Sequence, residues 1–547
     1  MLWIALHLPL LSLESFAATL SPELSAQPIA LMDAHRIVSA NAGARALGVK
    51  PGIKRATALA LAPQITLGLA DAVRDAQALT AVAHAALAFT PTVAIEPARA
   101  ATSSSAARSG TAKTPNAPKT ANTVDTADTV LLDVQASLRY FGGLPALLAR
   151  LHAALVPLGH CLHTASAPTA LGAALLARVH PQLHCVDLAA TCRALDAAPV
   201  WLIGPGREHW EALQGMGLRT LADLRVLPRA GLARRFGEAV LSELDRATGA
   251  RPDPREPIRL PPSFDSRLEL FARADTTEQL LYGAGVLLAR LVAWLSAQHA
   301  FVRRFSLVME HERHRRTDVQ APATTTLDIA LAEPSRDHAH LLVLLRERLA
   351  QLQLPAPTLD LRLHADDIAR RAPPNSELFP TPQTERDGLT RLIERLQARL
   401  GTAQVLRLET VADHRPERAS RLCAAEACLR PGRARSSAHT AFTAHGAHGA
   451  QAGSDPNTAP TAIRPVWLLA HPEPLAERQT GPTLGGQPLQ LLSGPERIES
   501  GWWDAALAER DYFIAQLPGG ALVWVYRARL PLVSSSASGW FLQGRFG

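Results

Sequence analysis

WIALHLPLLSLES, residues 3–15, decides how the rest of the chain is read. Trp3 to Leu6 are apolar and Pro9 breaks the run, so the segment is expected as a strand followed by a turn. Its one carboxylate is Glu14, and residues 1–32 add only Glu23. A pair of aspartates spaced to hold two metal ions cannot form on this strand.

The chain has 547 residues, too many for one hydrophobic core, which implies about three or four domains. Its formal charge is +7, carried by 52 arginines and four lysines, and a basic balance of this kind suits a polyanionic partner. A genomic base composition that favours Ala, Pro and Arg codons would produce the same excess. The five cysteines, Cys161, Cys185, Cys192, Cys423 and Cys428, are odd in number and far apart, which argues against a disulfide framework and for a reducing compartment. No second cysteine pair completes a zinc site with Cys423 and Cys428. The apolar start has no Lys or Arg before Arg36, and His7, Pro9 and Glu14 interrupt it, so neither a signal peptide nor a membrane span is expected. The expected location is cytoplasmic.

Residues 98–128 and 430–463 are dominated by small and polar residues with few large apolar groups, and both are expected to be disordered. His439, His445 and His448 in the second are read as solvated histidines. Between these inserts the periodicity is specific. Alternating segments at 266–272, 301–312, 324–333 and 358–368 read as strands, and 276–298 and 335–353 read as helices, the latter with Ser335 as its N-cap. The order is βαββαβ, a split βαβ module with helices on one face of a four-stranded sheet. Upstream, Gly204, Pro205 and Gly206 separate two helical stretches in 201–228, a turn whose amides can meet a DNA phosphate.

The order of parts carries a resemblance. ANAGARALGVKPG (40–52), VLLDVQASLRYFGG (130–143), HTASAPTALGAALLAR (163–178), the glycine hairpin and the βαββαβ module resemble, in sequence, the translesion DNA polymerases of the Y family. The LWIALHLPLLSLE start, the LFP element at 378–380 and the tail GPERIESGWWD…RDYFIA…WFLQGRFG are similar to the ImuB-type, catalytically degenerate branch of that family. The resemblance implies an α+β multidomain fold: palm- and fingers-like 1–190, a helix-hairpin-helix thumb 191–256 and a little finger 257–370. After these come a clamp-binding peptide and helix at 371–429, the linker, and a small β-rich docking region at 464–547.

Active relatives carry D-x-D-x-F on the first strand. With Ser12, Leu13 and Glu14 aligned to the family's S-V-E, Ala5 and His7 stand where the acids would be. The second acidic motif falls on Asp128 and Thr129, with Asp133 outside the metal pair, and the phosphate-gripping N-K step falls on Thr169 and Ala170. Arg45 keeps the position of a triphosphate-contacting arginine. At most one of three carboxylates remains, and such acids act as a unit, so a pseudo-polymerase without metal or other cofactor is expected.

The resemblance further implies DNA contacts at Gly204, Gly206, Arg207, Arg303 and Arg304, and a sliding-clamp peptide at Glu377, Leu378, Phe379 and Pro380, where Asn375 lies near the position of the usual glutamine. It implies a docking site at Trp502, Trp503, Asp504, Asp511 and Tyr512 for a RecA-like accessory protein and an error-prone replicative-type polymerase subunit. The implied role is a scaffold of SOS-type translesion synthesis on damaged primer-template. An active Y-family enzyme and a DNA-free protein–protein adaptor are the alternatives.

Overall fold

The structure is a computed structural model that describes residues 1–97, 127–204, 209–312, 322–370, 382–425 and 464–546, apart from 480, 505 and 530–538, with backbone alone for 382–387. All but the last two residues of the first low-complexity insert, and the whole of the second, lie outside the described residues. The chain divides into two compact units, Met1–Arg399 and Leu400–Gly547.

The opening stretch forms the strand Trp3–His7 and the helix Leu11–Ala17. That strand lies inside an antiparallel sheet, between Thr129–Asp133 and His163–Ala167, with Val93–Ile95 at the edge beyond Thr129–Asp133. Side chains alternate across a strand. Trp3 and Ala5 join Leu131, Ala165 and Ala167 beneath the helix Ala170–Val179, while Leu2, Ile4 and Leu6 face the helices Ala72–Leu87 and Leu144–Leu155. Burial on both faces explains why the sequence runs apolar instead of alternating.

A second sheet of three strands, Arg36–Ala40, Ile29–Asp33 and Thr66–Leu69, sits beside the first helix. A Cβ on Gly68 would lie 2.4 Å from the Phe16 ring, so only glycine lets this strand approach the helix. Among the described residues, five α-helices between Leu188 and Thr248 share one core with Ala170–Val179.

The βαββαβ order expected from periodicity is present as Phe264–Ala274, Thr277–Ala297, Ala300–His311, Thr324–Ser335, His338–Leu349 and Thr358–Ala365. The sheet order is Thr324–Ser335, Ala300–His311, Thr358–Ala365, Phe264–Ala274, all antiparallel. A fifth strand, Ile368–Arg370, pairs with residues 300–302; three residues are too few for periodicity to reveal. Ser335 ends a strand, and the cap of the second helix is Asp337, whose carboxylate accepts the amides of Ala339 and His340. Thr277–Ala297 is long and apolar enough to cross a membrane, yet Leu280, Leu287, Leu288, Leu291 and Trp294 are fully buried against the sheet and neighbouring helices.

The second unit is built on a five-stranded sheet in the order Trp467–Pro474, Trp540–Arg545, Leu522–Ala528, Ala508–Gln516, Gln490–Ser500. Gly520, with φ of 87°, makes the turn between Ala508–Gln516 and Leu522–Ala528. A hairpin of Leu406–Thr410 and Ser420–Ala424 belongs to the same unit.

Candidate functional site

Strand register places His7 directly opposite Thr129 on one side and His163 on the other. Asp128 precedes Thr129 in the chain, so the four positions expected to have lost or kept the metal ligands do come together. Ala5 is fully buried among small residues under Ala170–Val179, where a carboxylate would be stranded without water. Asp128 is held from three directions. Arg178, in the last turn of that helix, places Nη2 2.5 Å from Asp128 Oδ1 and 3.2 Å from Thr129 Oγ1. Thr129 Oγ1 donates to Asp128 at 2.8 Å, and His7 Nδ1 lies 3.5 Å from the same carboxylate oxygen and 3.2 Å from Thr129 Oγ1.

Burial alone would raise the Asp128 carboxyl, but the hydrogen bond to His7 and the charge of Arg178 overcome it and hold the group well below the usual carboxylate range. His163 is pushed the other way, toward its neutral form, by burial and then by His7. These residues do not fit a pair of hard divalent cations. Ala5 has no donor atom, His7 offers imidazole nitrogen where Mg²⁺ prefers oxygen, and the one carboxylate is already paired with a guanidinium. Among the described residues no group of three or more His, Cys, Asp or Glu is placed to hold a metal. Thr169, at the N-K step, caps the helix by accepting the Gly172 amide at 3.2 Å and donates to the Ala247 carbonyl at 2.7 Å.

The expected DNA contacts meet carboxylates. The Gly204 amide donates to Glu243 Oε2 at 3.0 Å, so a phosphate there would have to displace that side chain; Gly206 and Arg207 lie outside the described residues. Arg303 and Arg304 are exposed at the junction where both backbone amides point at the Asp367 carbonyl, and the Arg303 guanidinium stands 3.9 Å from the Asp367 carboxylate. Across the solvent face of the same sheet, Arg267 binds Asp360 at 2.8 Å and Arg362 pairs with Asp265. The register aligns Glu310, Asp360 and Glu269 in one row. Burial, with Glu310 and Glu269 adding to it, lifts the Asp360 carboxyl above the ordinary range against the pull of Arg267.

Glu377, Leu378, Phe379 and Pro380 lie outside the described residues. In the second unit Trp502 and Trp503 are 79% and 55% exposed and meet edge to face at 5.3 Å. Asp504 next to them receives Arg415 at 2.9 and 2.6 Å, and Arg418 also binds it. Arg415, itself buried, also holds Asp413 and the Ala506 carbonyl and lies 5.6 Å from the Trp503 ring. Asp511 pairs with Arg497 at 2.8 Å. Tyr512 is a correction to the expected docking set: it is buried, stacked on Trp524 at 4.2 Å, with its hydroxyl accepting from Arg510. Burial pushes that hydroxyl up to about 12. An inward-facing strand position, invisible in a local motif, removes it from the surface.

Protein ImuB of Caulobacter vibrioides, strain NA1000 / CB15N, is 28% identical to this chain over 523 residues, covering 92% of this chain and 100% of that protein; the same protein from strain ATCC 19089 / CIP 103742 / CB 15 gives the same figures. The chain is homologous to Protein ImuB. No family model matches it. Among solved structures, a ternary complex of Dbh aligns at 16% identity and a TM-score of 0.35, over 67% of this chain and 99% of that one. DinB from Sulfolobus solfataricus aligns at 16% identity and a TM-score of 0.33 with the same coverage.

Sequence reasoning missed Arg178 and Arg415. Each is an ordinary arginine in its local stretch, and its partner, Asp128 or Asp504, lies 50 or 89 residues away. The pairing of these charges appears only once the strands are in register.

Proposed function

We propose that the chain is a non-catalytic, Y-family polymerase-like scaffold of SOS-type mutagenic translesion DNA synthesis. In this reading it works in the cytoplasm and links a sliding clamp, a damaged primer-template, a RecA-like accessory protein and a separate error-prone polymerase that supplies the chemistry. The observation that carries the reading is the Arg178 guanidinium on Asp128, with Ala5 and His7 on the adjoining strand. A fixed cation balances the last carboxylate where the two-metal mechanism needs an open, anionic pair of sites. Homology with ImuB along nearly the whole chain supports the same reading.

In this scaffold Glu377–Pro380 is the clamp peptide, whose Leu378 and Phe379 would fill an apolar groove. Arg303 and Arg304 face DNA, and Trp502 and Trp503, fixed by the Arg415–Asp504 pair, form the docking knuckle for the partner proteins. Exposed aromatic side chains, Trp above all, are among those that dominate interface energy once buried by a partner.

The test is primer extension by the purified chain on an abasic template with Mg²⁺ or Mn²⁺, with gel shift in the same tubes. Binding without extension is expected; Mg²⁺-dependent extension by the wild-type chain would overturn the non-catalytic reading, and extension that survives Asp128→Ala would put the metal site elsewhere in the chain. A second reading, a DNA-free adaptor, is favoured by the carboxylates that pair Arg267 and Arg362 on the sheet face. It requires the gel shift to be absent at low salt, whereas the scaffold requires affinity that falls steeply as salt rises.

A further inference from the structure

The helix Pro382–Leu400 carries its amphipathicity inside out. At 3.6 residues per turn, Leu389, Leu392 and Leu396 fall on one face, and they are 57%, 53% and 37% exposed. The face turned to the protein holds Glu394, Gln397 and Ala398, all buried. Polar contacts fix this orientation. Glu394 accepts the amides of Ala332 at 2.7 Å and Glu333 at 3.2 Å, on the edge strand Thr324–Ser335, and lies 2.8 Å from His340 Nε2. Gln351 donates to the Arg399 carbonyl. The edge strand is thus covered by a carboxylate, and the leucines are left outward.

One border of the leucine stripe is basic. Arg391, Arg395 and Arg399 recur every four residues along it, all exposed. Arg391 and Arg395 reach Asp337 and Glu347 only at 3.5 and 3.6 Å. We infer that this stripe is a docking face for an amphipathic helix of a partner protein, whose apolar ridge covers Leu389, Leu392 and Leu396 and whose acidic border meets Arg391, Arg395 and Arg399. The inference goes beyond the scaffold reading and does not depend on DNA or clamp binding. A straight, narrow apolar strip at i, i+3 and i+7 fits a helix better than an extended peptide, which would need pockets and free backbone groups. The basic border selects the sign of the partner. A second copy of this chain is disfavoured, because antiparallel pairing sets the arginine row against itself.

Fluorescence anisotropy with the purified full chain tests it, using two labelled 21-residue helical peptides with leucines at i, i+3, i+4 and i+7, one bordered by glutamate and one by lysine. The glutamate peptide is expected to saturate and to bind at least ~10-fold more tightly than the lysine peptide at low salt. The double variant Leu392→Ser/Leu396→Ser should lose at least ~10-fold in affinity with little change in melting temperature, since both residues lie on the exposed face. Arg395→Glu/Arg399→Glu should reverse the preference between peptides. Failure of both peptides to saturate overturns the proposal, as does equal binding by the double-serine variant. A full-chain dimer in sedimentation that Leu396→Ser dissolves would also overturn it, by making a second copy the occupant.

Discussion

Arg178 Nη2 sits 2.5 Å from Asp128 Oδ1, joining the last turn of Ala170–Val179 to the end of the strand next to Trp3–His7. In the proposed scaffold reading, the pair puts a covalently attached cation where a two-metal enzyme would recruit a soluble one. Its effect is structural as well as chemical, because the helix, the central strand and its neighbour meet at these two side chains.

Removing one partner should therefore cost stability. Asp128→Asn leaves a mostly buried guanidinium facing a neutral amide, and because Asp128 is one-third exposed the expected loss is about 1–3 kcal/mol, read by urea denaturation. The folded carboxyl is held below its unfolded value, so the unfolded chain binds the extra proton first as pH falls. The contribution of Asp128 is full above the ordinary aspartate range and is lost as pH drops through the acid region toward the folded value. Asp128→Asn should flatten stability against pH there.

Restoring an acid on the first strand should not restore chemistry. Ala5→Asp places a carboxylate under the alanine-rich helix, at a cost of roughly 2–5 kcal/mol. Mg²⁺-dependent primer extension is expected to stay at background, since His7 and Thr129 add no hard anionic ligand. Thermal melting and extension assays on the same preparation check both halves.

His84 supplies a separate pH dependence. Burial in the helix Ala72–Leu87 lowers its imidazole to about 4. The unfolded histidine protonates first, so stability is complete above about pH 6.5 and falls by roughly 3 kcal/mol as pH descends to about 4. Urea midpoints across this range should show the slope in the wild type, and His84→Gln should remove most of it.

The Trp502–Trp503 turn should loosen when the Arg415 contacts that hold it are cut. Hydrogen bonds from Arg415 lower Asp413 and Asp504 to about 2 each. Their contribution is therefore present above the ordinary aspartate range and lost as pH falls through about 2. With 5-fluorotryptophan, the ¹⁹F resonances of Trp502 and Trp503 should be dispersed at neutral pH and collapse toward a solvent-averaged position in Arg415→Ala. The resonance of Trp524, buried on the strand Leu522–Ala528, should keep its position in that variant.

The βαββαβ module was legible because its strands and helices are long enough for apolar periodicity to declare itself, and because one face of each is buried. The fifth strand escaped notice because Ile368–Arg370 has too few residues to alternate. Ser335 looked like a cap on local grounds, but the strand continued to it and Asp337 took the role. The tryptophans divide in the same way: Trp524 is core on the strand Leu522–Ala528 and Trp502 is surface in the turn after Gln490–Ser500, a difference that composition does not encode.

By itself the amino-acid sequence determined that the first strand carries no metal-binding aspartate, that two long inserts lack the apolar groups of a core, and that a split βαβ module follows a helical region. These are properties of residue type and local period, and they hold before any strand finds its neighbour. Only the tertiary structure decided that Arg178 neutralises Asp128, that Glu243 takes the Gly204 amide, that Tyr512 is buried, and that Leu389, Leu392 and Leu396 face water. Each depends on which distant segment is brought within about 3 Å, or on which face is covered, and the register that sets those meetings is a property of the whole fold.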